Sequence, residues 1–438
     1  MKYEIKPPPA LKKEIKVPPD KSISHRAVML SSLCKGKTVI KPFLKSDDTL
    51  ATLHCMSRLG VNTYLKDYEL VIEGSGLQFP CNNAVRLYAQ DSGTTMRILS
   101  GLLCAQKIPS IFEASPSLER RPMKRITIPL RMMGANIEGK RKGSNEYPPL
   151  TIIPVKKLKG IKYALAVASA QVKSAIMLAA LYADKPTTIS EPFQSRDHTE
   201  RMLKLFKARI RKKGKAIICQ PTKNLISPKK VFIPGDFSSA SFFIILGLIL
   251  KNSQLRIKNV NINPTRCGLL KVLKRMGANI RIVNKKGGYE PYADIIVKSS
   301  KLKATKVAEK EIPLMIDEIP ILCVAAAFAK GKTIINGVEE LVIKETNRVS
   351  SMIFNLLKAG VKVGTLTYPK KSAKQHVMLS VEGKKQFKAA DFKSFNDHRT
   401  AMSMVIFAMA AQKSFTIDNI KCINKSFPEF IPLINSLY

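Results

Sequence analysis

The sequence predicts an α/β protein of two domains, each built from three βαβαββ units. The main observation is a polar residue that opens an apolar helix and occurs six times, with successive openings 71, 78, 67, 81 and 80 residues apart. The openings are Asp20, Asp91, Ser169, Asp236, Asp317 and Asp397. A second, amphipathic helix follows the first strand of each unit, and short strand-like runs follow that helix. So regular a period indicates an internal repeat.

The first helix of each unit carries its most polar residues in its first turn. Helix N-termini bind anions, because their N–H groups are unpaired and the helix dipole is positive there. Asp, Ser and Thr are also good N-caps, which is the alternative explanation for any single opening. Cations in the same turns oppose the dipole and therefore favour an anionic ligand. These cations are Lys21, Arg26, Arg97, Lys173 and Arg399.

The second helix is predicted from its stop signal. In the first unit it begins near Ser46 and ends at Gly60, and a glycine recurs at the same place in later units, as at Gly134, Gly277 and Gly360. In the third unit Lys207 stands where the glycine is expected. We therefore expect that helix to end differently.

Two similar segments mark the domain boundaries. Val17-Pro-Pro-Asp-Lys-Ser22 and Ile233-Pro-Gly-Asp-Phe-Ser238 lie three units apart, and each is a proline-bearing strand exit that suits an interdomain crossing. The last unit stops at Tyr438 without closing strands, and residues 3–17 contain two extended runs that could complete it. We predict one discontinuous domain of residues 1–20 and 236–438, and an inserted domain of residues 21–235.

The composition indicates a globular cytoplasmic protein. Of 438 residues 45% are hydrophobic, and the longest apolar run, Phe242–Leu250, is too short to span a membrane. The eight cysteines form no Cys-x-x-Cys pair and the five histidines show no ligand spacing, so reduced thiols and no metal are expected.

The net charge of +42 raises the possibility of a nucleic-acid partner. Trp is absent, aromatic residues make up 7%, and no RNA-binding or helix-turn-helix signature occurs. We therefore interpret most of this charge as solvated surface and expect no nucleic-acid partner and no membrane.

Three further motifs concentrate polar residues. Glu119-Arg-Arg-Pro-Met-Lys-Arg125 has four cations in seven residues, and Asp397-His-Arg399 directly precedes an apolar helix. Lys344-Glu-Thr-Asn-Arg348 is predicted to place Lys344 and Arg348 one helical turn apart. A solvated face is the alternative for the first and third motifs.

Taken in order, the motifs resemble the EPSP synthase (3-phosphoshikimate 1-carboxyvinyltransferase) family over essentially the whole chain. The matching segments are Asp20–Arg26, Ser92–Arg97, Arg120–Met123, Ala168–Gln171, Ser195–His198, Gly235–Ala240, Asp317–Glu318, Lys344–Arg348, Asp397–Arg399 and Lys425–Pro428. The resemblance implies a two-domain inside-out α/β barrel with helix N-termini facing an interdomain cleft that holds the active site.

The reaction that the resemblance implies belongs to the shikimate pathway of chorismate and aromatic amino acid biosynthesis. The enolpyruvyl group of phosphoenolpyruvate moves to the 5-hydroxyl of shikimate 3-phosphate through a tetrahedral intermediate, giving 5-enolpyruvylshikimate 3-phosphate and phosphate. The resemblance also implies a monomer that needs no cofactor or metal and is inhibited by glyphosate.

The resemblance assigns roles to individual residues. Phosphoenolpyruvate is expected at Lys21, Gly93, Thr94, Arg121, Gln171, Arg348, Arg399 and Lys425. Shikimate 3-phosphate is expected at Lys21, Ser22, Arg26, Ser169, Gln171, Ser195, Asp317 and Lys344. Asp317 is the expected base toward the 5-hydroxyl, while Glu345 and Lys21 are both candidates for proton transfer at C3.

The chain departs from the usual family pattern at four positions. Gln90-Asp91 stands where Gly-Asn is usual, Asn347 replaces an Asp, and Val342 replaces a frequent basic residue. A rival hypothesis is the sister enzyme that uses UDP-N-acetylglucosamine, which has Lys-Asn in place of Lys21-Ser22 and a loop cysteine without a counterpart here. A basic nucleic-acid-binding protein on the same scaffold is a second rival. A non-catalytic binding relic is a third, and the intact acids argue against it.

Overall fold

A computed structural model describes residues 2–369 and 375–438. The chain divides into two compact units. The discontinuous unit comprises the residues up to Pro18 together with Pro234–Tyr438, and the inserted unit comprises Pro19–Ile233. These limits lie two residues before the predicted boundaries at each crossing.

Helices and strands alternate along both units. The helices are α1 (Lys21–Ser32), α2 (Asp47–Arg58), α3 (Gly93–Leu103), α4 (Pro116–Glu119), α5 (Lys124–Met132), α6 (Ala170–Ala180), α7 (His198–Leu205), α8 (Phe237–Ile249), α9 (Gly268–Arg275), α10 (Ile319–Ala327), α11 (Arg348–Lys358), α12 (His398–Ala411) and α13 (Phe430–Asn435). Short 3₁₀ turns cover Glu309–Leu314, Ile316–Glu318, Glu339–Leu341 and Lys421–Lys425. The strands are β1 (Tyr3–Ile5), β2 (Lys12–Lys16), β3 (Lys35–Ile40), β4 (Asn62–Lys66), β5 (Glu69–Ser75), β6 (Val85–Tyr88), β7 (Ser110–Glu113), β8 (Asn136–Lys142), β9 (Asn145–Ile153), β10 (Lys162–Ala164), β11 (Thr187–Ser190), β12 (Ile210–Lys213), β13 (Ala216–Cys219), β14 (Lys230–Val231), β15 (Gln254–Asn261), β16 (Asn279–Lys286), β17 (Tyr292–Lys298), β18 (Lys306–Val307), β19 (Lys332–Asn336), β20 (Lys362–Pro369), β21 (Gln375–Glu382), β22 (Ala390–Phe392) and β23 (Phe415–Ile417).

The inserted unit has three four-stranded sheets with one topology. Their strand orders are β14-β3-β5-β4, β6-β7-β9-β8 and β10-β11-β13-β12. In each sheet the first pair is parallel and the other two are antiparallel. Strand β14, from the end of the unit, completes the sheet at its beginning. The predicted βαβαββ repeat is confirmed.

The discontinuous unit repeats this topology with one truncated sheet. Two sheets have four strands, in the orders β2-β15-β17-β16 and β18-β19-β21-β20. The third has three strands in the order β1-β23-β22, and β1 pairs antiparallel with β23 from Tyr3↔Ile417 to Ile5↔Phe415. The N-terminal residues therefore do complete the last repeat, but only through β1. Strand β2 pairs in parallel with β15 and opens another sheet.

The first helices of the repeats form the core of each unit. In the discontinuous unit α8, α10 and α12 pack against one another. Helix α12 is buried on all faces from His398 to Ala410, and α1 of the inserted unit is buried from Ile23 to Ser32. With helices inside and sheets around them, the predicted inside-out α/β architecture is confirmed. No helix among the described residues is long and apolar enough to cross a membrane.

The second helices end in a left-handed residue, as the glycine signals predict. Gly60, Gly134, Gly277 and Gly360 have φ values of +85°, +86°, +85° and +76°. Our expectation for the third repeat was wrong, because Lys207 adopts φ +65° at the position that follows the C-cap of α7. A lysine thus accepts the backbone conformation that glycine adopts more readily.

Candidate active site

In the inserted unit, Lys21 lies in the first turn of α1 next to a carboxylate. Asp20 caps α1 by accepting a hydrogen bond from the backbone N–H of Ile23 at 2.9 Å. The Nζ atom of Lys21 lies 2.7 Å from Oδ2 of Asp48, at the start of α2, and both side chains are largely buried. The Asp48 carboxylate therefore fixes the position of the Lys21 ammonium group.

Arg26 is buried one turn further along α1. Its Nε donates to Oγ1 of Thr199 at 2.7 Å, its Nη1 to the carbonyl oxygen of Ser22 at 2.9 Å and its Nη2 to Oγ of Ser174 at 2.9 Å. These three contacts hold the guanidinium plane against Ser22, and both residues are in the predicted shikimate 3-phosphate set.

Several predicted phosphoenolpyruvate residues meet at the start of α3. Gln171 accepts a hydrogen bond from Nη1 of Arg97 at 3.0 Å and donates one to Oγ1 of Thr94 at 3.0 Å. A Cβ atom on Gly93 would lie 2.8 Å from Nη1 of Arg97 and 3.1 Å from Nη1 of Arg121. The structure therefore brings Gly93, Thr94, Arg121 and Gln171 together. Arg97, the fifth residue of α3, joins them, although the sequence pointed to it only as a cation near a helix start.

Lys173 has structural partners that the sequence did not reveal. This buried lysine lies 3.2 Å from Oε1 of Glu191 and 2.7 Å from Oε1 of Glu200. Burial raises the pKa of Glu200, against the opposing effect of Lys173. Lys173 thus needs no anionic ligand, and our use of it as a sign of one was wrong.

The two predicted serines near Lys173 have different local roles. Ser169 caps α6, since its Oγ accepts from the backbone N–H of Val172 at 3.4 Å. Ser195 donates its hydroxyl proton to Oε2 of Glu191 at 2.6 Å. Ser195 therefore belongs to the network of Lys173 and Glu191 rather than to the group around Gly93.

In the discontinuous unit, Arg348 is the centre of a cluster of carboxylates at the start of α11. Its Nε lies 2.8 Å from Asp397, its Nη1 3.2 Å from Asp317 and its Nη2 2.5 Å from Glu345. Burial alone would lower the pKa of this guanidinium, which is 1% exposed. Asp397, Glu345 and Asp317 outweigh burial and raise the pKa of Arg348.

Asp317 lies between two guanidinium groups. Besides Arg348, the side chain of Arg399 reaches it, with Nη1 donating to the Asp317 carbonyl oxygen at 3.2 Å and Nε 3.5 Å from Oδ1. The Asp317 carboxylate thus has cationic neighbours on two helices, α11 and α12, and it shares Arg348 with Glu345.

The comparisons with known proteins agree over the full length. The family model described as EPSP synthase (3-phosphoshikimate 1-carboxyvinyltransferase) matches residues 5–434. A curated 3-phosphoshikimate 1-carboxyvinyltransferase from Petrotoga mobilis is 44% identical over 440 residues, covering 100% of this chain and 99% of the relative.

The chain belongs to the EPSP synthase family.

Solved structures agree with this membership. The EPSP synthase of Acinetobacter baumannii has a TM-score of 0.85 and 38% identity, covering 100% of this chain and 98% of that one. The enolpyruvyl transferase NikO from Streptomyces tendae has a TM-score of 0.76 at 14% identity, covering 99% and 96%, and supports the fold alone. The predicted family, enzyme class and reaction are confirmed, and the UDP-N-acetylglucosamine hypothesis is not favoured. The individual site roles, the monomeric state and the absence of a nucleic-acid partner stay predictions.

Two departures from the usual EPSP synthase pattern have local explanations. Gln90 has φ +51°, which accounts for the usual glycine at this position. The Asp91 carboxylate accepts a hydrogen bond from Oγ of Ser115, so it has a partner within the fold. The cap of α3 is Ser92, one residue after the predicted opening.

The segment before α11 differs from our prediction. Lys344 lies in a bend and α11 begins only at Arg348, so the two are not one turn apart on a helix. Asn347 caps α11 by accepting from the backbone N–H of Ser350 at 3.1 Å, as the usual Asp could. Val342 is 38% exposed in the turn that precedes this bend. Lys425 ends a 3₁₀ turn that packs against α12, the helix that carries Arg399.

One group of side chains among the described residues has the composition of a metal site. Glu309, Glu339 and His376 bring their ligand atoms within 4.8 Å of one another, and all three are partly buried. They are 30 or more positions apart in the sequence, which explains why ligand spacing gave no sign of them. None is in the predicted site, and we assign them no metal.

Proposed function

We propose that the protein transfers the enolpyruvyl group of phosphoenolpyruvate to the 5-hydroxyl of shikimate 3-phosphate, with Asp317 as the base. The observation that supports this role is the position of Asp317 between Arg348 and Arg399, just before α10. A general base must be ionised and fixed within reach of the proton it takes. The two guanidinium groups favour both conditions.

In the proposed reaction, the oxygen of the 5-hydroxyl bonds to C2 of phosphoenolpyruvate while Asp317 takes the hydroxyl proton. A proton reaches C3 at the same time, which converts the double bond to the single bond of a tetrahedral intermediate. The two candidates to donate this proton are Glu345, which is paired with Arg348, and Lys21, which is paired with Asp48. Loss of phosphate from C2 and of a proton from C3 then restores the double bond.

The cations have two tasks in this proposal. Lys21, Arg121, Arg348, Arg399 and Lys425 would bind phosphoenolpyruvate and stabilise the phosphate as it leaves, which is electrostatic stabilisation without a cofactor. Gly93, Thr94 and Gln171 would contact the same ligand, and glyphosate would compete with phosphoenolpyruvate for this site.

The second substrate would be bound by a separate set of polar residues. Ser22, Arg26, Ser169, Gln171, Ser195 and Lys344, with Lys21 and Asp317, would bind shikimate 3-phosphate. Ser195 must then release Glu191 if its hydroxyl is to donate to the ligand, because a hydroxyl has one proton.

The test is phosphate release from phosphoenolpyruvate by the purified protein. We expect release only when shikimate 3-phosphate is also present, and inhibition by glyphosate that rising phosphoenolpyruvate relieves. UDP-N-acetylglucosamine in place of shikimate 3-phosphate is the matched control. Release with that sugar nucleotide alone, or no release with either acceptor, would contradict the proposal.

A further inference from the structure

A buried ion pair adjoins the proposed base and has no role in the proposed reaction. Glu318, the residue after Asp317, is 0% exposed, and its Oε1 lies 2.8 Å from Nη1 of Arg266, which is 2% exposed. The hydroxyl of Ser238 hydrogen-bonds to the same Glu318 oxygen and accepts from Nη2 of Arg266. Three polar side chains therefore meet at one buried position.

This cluster connects the starts of two core helices. Asp236 caps α8 by accepting from the backbone N–H of Ser238 at 2.6 Å, and the same oxygen lies 3.2 Å from Nη2 of Arg266. Glu318 is the N-cap residue of α10. Arg266 thus binds one carboxylate from each helix start, and its guanidinium fixes the distance between them.

Arg266 itself lies in a hydrogen-bonded turn. Its backbone N–H donates to the carbonyl oxygen of Asn263 at 2.8 Å, and Oδ1 of Asn263 accepts from both the N–H and the hydroxyl of Thr265 at 3.0 Å. The guanidinium carbon lies 5.9 Å from the centre of the Phe237 ring. An arginine anchored in this way holds Glu318 in a fixed position.

The segment that carries Asp317 depends on such an anchor. Asp317 lies in a three-residue 3₁₀ turn, Ile316–Glu318, and the hydrogen bonds of such turns have poorer geometry than those of an α-helix. The Asp317 carboxylate and carbonyl oxygen face guanidinium groups from α11 and α12. Without a further anchor, those two cations would determine where the turn lies.

We propose that Arg266 and Glu318 form a positioning pair that fixes the turn bearing Asp317, and so sets the distance between this carboxylate and the substrate hydroxyl. The proposal rests on the proposed function, in which Asp317 is the base. Neither member of the pair belongs to the residues expected to bind substrate. Displacement of a reacting group by about 1 Å can cost about a hundredfold in rate, so the pair should act on kcat.

The test compares Glu318→Gln with a control that loses another buried, arginine-paired carboxylate of the same unit. Asp294, on β17, is 4% exposed and lies 2.7 Å from Nη2 of Arg256, so Asp294→Asn is that control. Both variants and the parent are assayed for phosphate release well below their melting temperatures. We expect Glu318→Gln to lower kcat about tenfold or more with both KM values within about threefold, and Asp294→Asn to lower the melting temperature only.

A milder variant keeps the test decisive if Glu318→Gln does not fold. Ser238→Ala removes one hydrogen bond from each member of the pair and keeps both charges, and we expect it to lower kcat about threefold to tenfold. An unchanged kcat in the folded variants, with or without a raised KM, would contradict the positioning role of the pair and leave the proposed function standing. A parent that releases no phosphate would overturn the proposed function and the pair with it.

Discussion

Replacing Gly93 with alanine tests the proposed phosphoenolpyruvate site most directly. The added methyl group would lie 2.8 Å from Nη1 of Arg97 and 3.1 Å from Nη1 of Arg121, whereas ordinary contacts begin near 3.4 Å. The Arg121 guanidinium must therefore move by a few tenths of an ångström, and the Arg97 guanidinium must shift further and would strain its 3.0 Å hydrogen bond to Gln171.

The size of the effect follows from these contacts. Forcing a methyl group into a packed site costs about 1–3 kcal/mol, which corresponds to about a fivefold to 150-fold loss of affinity. We expect the KM for phosphoenolpyruvate to rise within this range. The Ki of glyphosate should rise further, because glyphosate has one more atom between its phosphorus and its carboxyl carbon and needs a longer space.

The assay is steady-state phosphate release with phosphoenolpyruvate and glyphosate varied in turn. Gly287→Ala is the control, since a Cβ atom there would meet nothing within 4 Å. We expect its KM and Ki to equal those of the parent. If Gly93→Ala behaved like Gly287→Ala, Gly93 would lie outside the site and the inferred clash with the two guanidinium groups would be refuted.

Single residues elsewhere in the chain allow three more tests. Asp317→Asn should lower kcat about a hundredfold or more with little change in KM, because the amide oxygen can still accept a hydrogen bond from Arg348 but cannot take a proton. A steady-state kcat within a few-fold of that of the parent would exclude Asp317 as the base. Gln90→Gly should raise the free energy of unfolding by about 1 kcal/mol, since a left-handed φ of +51° strains glutamine; a lower urea midpoint would contradict this. Burial, with the charges of Lys21 and Arg26, lowers the pKa of His25 well below 6.5. The unfolded chain therefore takes up the proton first, so this contribution to stability is complete above pH 6.5 and is lost as the pH falls below it. Between about pH 7.5 and 5.5, the free energy of unfolding measured in urea should fall less in His25→Gln than in the parent. His54→Gln, at an exposed position, is the control. An equal fall in all three proteins would exclude His25 as the cause.

Within the site, single residues were easier to predict from the sequence than their partners. The first turns of α1 and α12 contain Lys21 and Arg399 as predicted, because their position depends on local capping and helix periodicity. Arg26 and Arg97 were predicted in first turns as well, but they lie in the second turns of α1 and α3. Lys173 lies in the first turn of α6, yet it is neutralised by Glu191 and Glu200. A helix start can be predicted from neighbouring residues, but what faces that start cannot.

The fold class and its repeat were predictable without any coordinates, since hydrophobic period and stop signals are local and recur at regular spacing. Contacts between distant segments were not, as with the pairing of β1 and β23, more than 400 residues apart in the chain. The same holds for Arg348 with Asp397 and for Arg266 with Glu318, which are 49 and 52 residues apart. These charged pairs form because separate repeats pack their helix starts together. A charge buried there needs a suitable partner, because burying it unpaired is costly. No local sequence pattern identifies that partner.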